Sequence, residues 1–214
     1  MNIDLKEVLK NKAINEWRLF WLISIPMSIT MVIAMTGHDM STAHGVSEMI
    51  SFSVRWAVPF IFLVVATSSV QILFPGQFPM WLLRNRKYIG MCFAVAMAWQ
   101  GSFILIMSNF FREYYFTDYV LRDELEGSIG YIFLSAMVVT SFRFGRKYLN
   151  QKQWKLLHKS SLYFLWAYAF SVYWWALFYY PYNQNPRAID YVLYWCGFLA
   201  FALRIVAWGK QRQQ

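Results

Sequence analysis

The chain has 214 residues, of which 58% are hydrophobic and 14% are charged. An ordinary soluble domain carries charge on about a quarter of its residues, so the composition excludes that class and indicates an integral membrane protein. The net charge of +9 does not point to nucleic acid, because no nucleic-acid-binding motif accompanies it and basic loops are typical of membrane proteins.

The first 16 residues form an amphipathic segment. Leu5, Val8 and Leu9 recur at helical spacing among lysines, which predicts a short helix lying on the cytoplasmic surface of the membrane. Residues 17–208 are predicted to form one transmembrane domain, and residues 209–214 a polar cytoplasmic tail.

Six apolar stretches predict an all-α polytopic membrane protein, built as a six-helix transmembrane bundle. The predicted spans are residues 17–37, 52–74, 88–110, 128–144, 158–180 and 189–208. Residues 38–51 are predicted to form a polar loop between the first two spans. Pro75 and Gly76 end the second span, and residues 181–186 are predicted to form a turn after the fifth.

Lysine and arginine are distributed unevenly between the two sides of this bundle. With the span ends beside them, the two termini and the loops between spans 2 and 3 and spans 4 and 5 hold 16 of the 20 basic residues. Because basic loops stay in the cytoplasm, both termini are predicted to be cytoplasmic. We expect the protein in a bacterial inner membrane, with membrane lipids and other membrane or periplasmic subunits as partners.

Arg55 lies in the first turn of the second span, and two histidines lie in the polar loop before it. An arginine exposed to lipid at mid-depth costs about 2.5–3.5 kcal/mol. Arg55 therefore either snorkels or makes a structural ion pair, or it contacts a ligand such as a haem propionate or a quinone. His38 and His44 are too far apart in sequence to share one helical face. They are either solvated loop residues or part of a metal or quinone site.

Two polar residues lie deep in the third and fifth spans. Gln100 lies about 18 Å along its span from Tyr88, and Ser171 about 20 Å along its span from His158, at 1.5 Å per residue. Their similar depth predicts a hydrogen bond between the two helices. Met97, one turn before Gln100, offers a thioether that can ligate iron. His158 is either an interfacial residue or an axial haem ligand.

The stretch FPGQFPMWLLRNRKYIGMCFAVAMAWQ, preceded by SVRWAVPFIFLVVATSSVQ, resembles the ferric reductase-like transmembrane domain family of six-helix cytochrome b proteins. Its members have a basic-basic-x-Leu-Gly run before a haem-ligating histidine in span 3. They also have a Trp-Lys-x-Leu-His motif in span 5, with a further histidine beyond it. The matching residues here are Arg86, Lys87, Tyr88, Ile89 and Gly90, and then Trp154, Lys155, Leu157 and His158.

The resemblance implies that Gln100 and Ser171 occupy two haem-ligand positions, where neither side chain is a usual ligand. The favoured interpretation is a haem-free structural or partner-binding subunit of a membrane complex, with no cofactor and no catalytic residue. The alternative is a haem b electron-transfer subunit of an oxidoreductase, using His158 with Met97 or a loop histidine. It would need a separate redox partner, because these residues include no flavin- or nicotinamide-binding domain. A further alternative is a quinone- or lipid-binding protein that uses Arg55 and the vacated pocket.

Removing a haem from a helical bundle leaves a void, and voids are costly. Aromatic side chains are predicted either to fill this space or to face lipid. They are Trp99 in span 3 and Trp166, Tyr168, Phe170, Tyr173, Trp174 and Trp175 in span 5.

Overall fold

The computed structural model describes residues 5–118, 121–178 and 187–213, and every regular element in those ranges is helical. A 3₁₀ turn at Lys12–Ile14 follows the first helix. The α-helices are α1 (Leu5–Lys10), α2 (Glu16–Gly37), α3 (Ala43–Leu73), α4 (Gln77–Phe110), α5 (Arg112–Asp118), α6 (Leu121–Thr140), α7 (Arg143–Arg146), α8 (Gln151–Phe178) and α9 (Ala188–Arg212). The prediction of an all-helical fold is confirmed, and the long helices α2, α3, α4, α6, α8 and α9 lie at the positions of the predicted spans.

Within the described residues, four helices are long and apolar enough to cross a membrane: α2, α3, α4 and α9. This property is consistent with a membrane protein. The helix α6 falls outside that group because its first two turns are charged, and α8 because its apolar part is rich in tyrosine and tryptophan, which are less hydrophobic than aliphatic side chains. The sequence of α6 begins LRDELEG, and that of α8 begins QKQWKLLHKSS.

Several helix ends differ from the predicted boundaries. The helix α3 begins at Ala43, within the stretch predicted as a loop, so His44 lies in its first turn and the prediction of a loop histidine is wrong. The physical reason is a helix cap, because the Thr42 hydroxyl oxygen accepts the Gly45 N–H at 3.1 Å. The helix α4 begins at Gln77, which places Arg84 within a helix. The helix α6 ends at Thr140, before the predicted end of span 4.

The helix α3 is the centre of the bundle. In the most apolar stretch of α3, 56% of the residues are buried, whereas the corresponding share is 28% in each of α2, α4 and α9. At Gly197 of α9, an added Cβ would lie 2.7 Å from the ring of Phe62 in α3 and 2.9 Å from that of Phe170 in α8. Glycine is therefore needed at this crossing, because a side chain would push α9 away from the core.

Contacts between helix ends define the basic end of the bundle, where α3, α6 and α9 finish and α2, α4 and α8 begin. Lys210 near the end of α9 donates to the Ile72 carbonyl of α3 at 3.1 Å. Trp154 of α8 donates to the Thr140 carbonyl of α6 at 3.2 Å. The N-terminal segment also packs here, because the buried Asn85 of α4 accepts the Glu16 N–H at 2.8 Å.

Candidate functional site

The two deep polar side chains do not contact each other. The Tyr131 hydroxyl of α6 lies 3.1 Å from Gln100 Oε1 and 3.1 Å from the Met97 carbonyl oxygen, both of which are acceptors. The Ser171 hydroxyl donates within its own helix, to the Tyr168 carbonyl at 2.9 Å. The predicted hydrogen bond between Gln100 and Ser171 is therefore wrong, because each side chain satisfies its polar group elsewhere.

Tyr131 occupies the space beside Gln100. An added Cβ at Gly101 would lie 3.3 Å from the Tyr131 hydroxyl oxygen and 3.4 Å from its ring. The tyrosine ring therefore packs directly on the backbone of α4, in a place that only a residue without a side chain leaves open. Sequence reasoning missed Tyr131, and the signal that pointed to it was Gly101, which directly follows the polar Gln100 deep in the predicted span.

The rings of α8 pack against α9. Trp166 stacks on Phe201 with ring centres 4.4 Å apart, and its indole N–H donates to the Gly197 carbonyl at 3.1 Å. Phe170 stacks on Tyr194 at 5.2 Å. These rings fill the contact between two neighbouring helices.

The other rings of the predicted set are divided between the core and the surface. Tyr173 is only 4% exposed and joins the core, whereas Trp174 is 45% exposed. Trp99 points towards α2, because its indole N–H donates to the Ser28 hydroxyl at 3.1 Å. The ring of Tyr131, from α6, is the one that packs beside Gln100.

Arg55 is paired at the end of the bundle opposite the basic end. Its Nε lies 3.8 Å from Asp190 Oδ1, and the other oxygen of that carboxylate accepts the Arg187 N–H at 3.0 Å. Asp190 thus caps α9 and neutralises Arg55 at the same time. Arg55 does not line the cavity described below.

His158 lies at the contact between α6 and α8. Its Nε2 is 3.0 Å from the Thr140 hydroxyl oxygen, and its ring packs on Trp154 with centres 4.4 Å apart. The Thr140 hydroxyl donates its one hydrogen to the Ala136 carbonyl at 2.6 Å. We therefore assign the imidazole proton to Nε2, since the threonine oxygen is left as the acceptor.

A cavity of about 670 Å³ opens beside His158 at the basic end, between α3, α4, α6 and α8. We call it the basic cavity. Among the described residues that line it, seven are lysine or arginine and none is acidic. They are Arg86, Lys87, Arg143, Arg146, Lys155, Lys159 and Arg204. The deeper wall is apolar and includes Ile61, Val65, Phe93, Leu134, Val138, Leu162 and Leu165.

Sequence reasoning used most of these basic residues only to orient the chain. They come from different helices and loops, but they were all assigned to one side of the membrane by the charge count. Their assignment to the same side of the membrane was the sequence feature that indicated a common site. A cavity with an apolar wall and a cationic rim can bind an amphipathic molecule that carries an anionic group.

The basic cavity does not offer two axial haem ligands from among the residues predicted from the sequence. Gln100 and Ser171 are engaged as described above, and Met97 does not line the basic cavity. His38 and His44 lie at the opposite end of the bundle, at the end of α2 and the start of α3. Within the described residues, no group of three or more His, Cys, Asp or Glu side chains is placed to hold a metal ion.

Comparison with models of protein families, with curated proteins and with solved structures finds no match to this chain.

Proposed function

We propose that the protein is a haem-free member of the ferric reductase-like transmembrane family, acting as a structural or partner-binding subunit of a membrane complex. The observation that carries this proposal is the position of Tyr131. Its hydroxyl bonds to Gln100, and its ring packs against Gly101. Tyr131 fills the space beside Gln100, and a glutamine engaged in this way is not a usual haem ligand, which supports the absence of a haem at this depth of α4.

The proposed topology is a six-span bundle in a bacterial inner membrane, with both termini cytoplasmic. The distribution of charge supports this orientation, because the basic end carries most of the lysine and arginine. In this arrangement α6 and α8 cross the membrane with α2, α3, α4 and α9. The polar first turns of α6 and α8 lie near opposite membrane surfaces.

A second candidate function, electron transfer through one haem b, is favoured by the place of His158 on the wall of the basic cavity. Its imidazole would be the axial ligand, and the rim cations would pair with the propionates. Ligation through Nε2 first requires His158 to give up its hydrogen bond to Thr140.

An absorption spectrum separates the two functions. The protein is expressed with added haem precursor, purified in detergent and recorded in oxidised and reduced forms. We expect no stoichiometric Soret band. A band that is present in the unaltered protein, disappears in His158→Ala and persists in the control variant His44→Ala would overturn the haem-free proposal. The control removes an exposed histidine at the opposite end of the bundle.

A further inference from the structure

Two apolar compartments meet at one group of cations. The basic cavity shares Lys159, Tyr163 and Arg204 with a groove of about 570 Å³ between α8 and α9. Beyond these shared residues, the groove has walls of Trp166 and Phe201, whose rings stack on each other. The cations therefore lie at a junction with apolar space on either side.

Two of the cations at this junction have neutral partners. Arg204 Nε donates to the Tyr163 hydroxyl oxygen at 2.9 Å, and Arg86 donates to the Ser68 hydroxyl oxygen at 3.2 Å. In the described part of the chain, no salt bridge involves Arg86, Lys159 or Arg204. Arg86 and Arg204 line the same cavity, so their like charges repel each other. Arg86 and Arg204 are half-buried, and Lys159 lies exposed beside them. A half-buried cation without a counter-charge is unfavourable, so a bound anion would stabilise this junction.

We propose that this junction binds the phosphate of an anionic phospholipid through Arg86, Lys159 and Arg204. One acyl chain lies along the apolar wall of the basic cavity and the other in the groove between α8 and α9. Arginine and lysine both bind phosphate oxygens, and basic pockets between transmembrane helices are known to hold anionic lipid head groups. The inference rests on the haem-free function proposed above, because a haem ligated by His158 would occupy the same cavity.

The apolar compartments distinguish a lipid from free phosphate. Inorganic phosphate would satisfy the cations but would leave both apolar surfaces unfilled. A phospholipid fills both, which adds the favourable burial of its acyl chains. A zwitterionic lipid would fill the apolar space but would bring a cationic group to a site that is already cationic. We therefore expect tight binding only for an anionic lipid.

Native mass spectrometry of the purified protein measures this binding. Micelles containing dioleoylphosphatidylglycerol should give a one-to-one complex, whereas dioleoylphosphatidylcholine or inorganic phosphate should not. Lys159→Gln/Arg204→Gln should weaken the complex about thirtyfold, on the basis of two cations near a membrane surface. The control, Lys152→Gln/Arg18→Gln, also removes one lysine and one arginine, which are exposed and do not line either compartment. It should bind like the unaltered protein.

The outcomes separate this inference from the proposed function. A protein without a Soret band that binds both lipids equally would overturn the lipid site and leave the haem-free function standing. A Soret band lost in His158→Ala would overturn the haem-free function, and the lipid site with it. Binding of inorganic phosphate as tightly as the anionic lipid would also overturn the lipid site. The comparison of probes on the unaltered protein remains decisive if the double variant fails to fold.

Discussion

Asn85 is a fully buried amide in α4 whose hydrogen bonds fasten the N-terminal segment to the bundle. Its amide nitrogen donates to Asn15 Oδ1 at 3.0 Å and to the Trp81 carbonyl at 3.0 Å, and its oxygen accepts the Glu16 N–H. Glu16 has a φ of 57°, in the left-handed region that costs about 1–3 kcal/mol for a residue with a side chain. Asn85 therefore stabilises a turn that the local sequence disfavours.

We predict that Asn85→Ala destabilises the protein by about 1–3 kcal/mol, because it removes the acceptor of the part-buried Glu16 N–H and the donor to Asn15 and Trp81. The N-terminal segment should also become more accessible, so trypsin should cleave at Lys10 and Lys12 faster than in the unaltered protein. Denaturant unfolding followed by tryptophan fluorescence measures the first effect, and limited proteolysis the second.

The control for this prediction is Asn109→Ala, since Asn109 lies on the same helix but is exposed and bonds only to its neighbours Leu105 and Ser108. Asn109→Ala should change neither the free energy of unfolding nor the rate of tryptic cleavage appreciably. Equal effects of the two substitutions would contradict the role assigned to Asn85.

At the scale of elements, the contact between α3 and α9 depends on the absence of a side chain at Gly197. The ring of Phe62 is buried in the core, so it has little freedom to move aside. Trp166 of α8 also donates to the Gly197 carbonyl, which joins a third helix to this crossing. One small residue thus sets how closely three helices pack, as is common in membrane bundles.

Gly197→Ala should destabilise the protein by about 1–3 kcal/mol, because the added methyl group overpacks the crossing. Gly209 lies on the same helix with nothing within 4 Å of an added Cβ. Gly209→Ala should therefore stabilise the protein by about 0.5–1 kcal/mol through helix propensity alone. The free energies of unfolding of Gly197→Ala and Gly209→Ala, measured in detergent, test both predictions. A neutral or stabilising Gly197→Ala would show that α9 can move without cost.

At the scale of the whole molecule, charge differs between the two ends. At the opposite end, Arg55 pairs with Asp190, and Arg187 lies 3.5 Å from Glu48. At the basic end, cations outnumber acidic groups and surround a cavity. A membrane potential and anionic cytoplasmic lipids both favour placing such an end in the cytoplasm.

The six-span topology makes a prediction at Lys147, an exposed residue between α7 and α8. If α6 and α8 both cross the membrane, Lys147→Cys lies in the cytoplasm and a membrane-impermeant maleimide should not label it in intact cells. If only α2, α3, α4 and α9 cross, the same position lies outside and should be labelled. His44→Cys should be labelled and Gln211→Cys protected in either case, which checks the orientation. The unaltered chain gives the background from Cys92 and Cys196.

The helical class, the position of the long helices and the shared side of the basic residues follow from the sequence by itself. An apolar stretch long enough to cross a bilayer must satisfy its own backbone hydrogen bonds, which favours a helix. The charges beside each stretch can be read from the sequence without knowledge of tertiary contacts.

Only the tertiary structure decided which side chains meet. Gln100 bonds to Tyr131 instead of Ser171, and the cations of α4, the α6–α8 connection, α8 and α9 surround one cavity. The physical reason is that lipid is as apolar as the protein core, so the sequence of a membrane helix does not reveal which face turns inward. The rotation and tilt of each helix settle that question, and they depend on close packing at places such as Gly101 and Gly197.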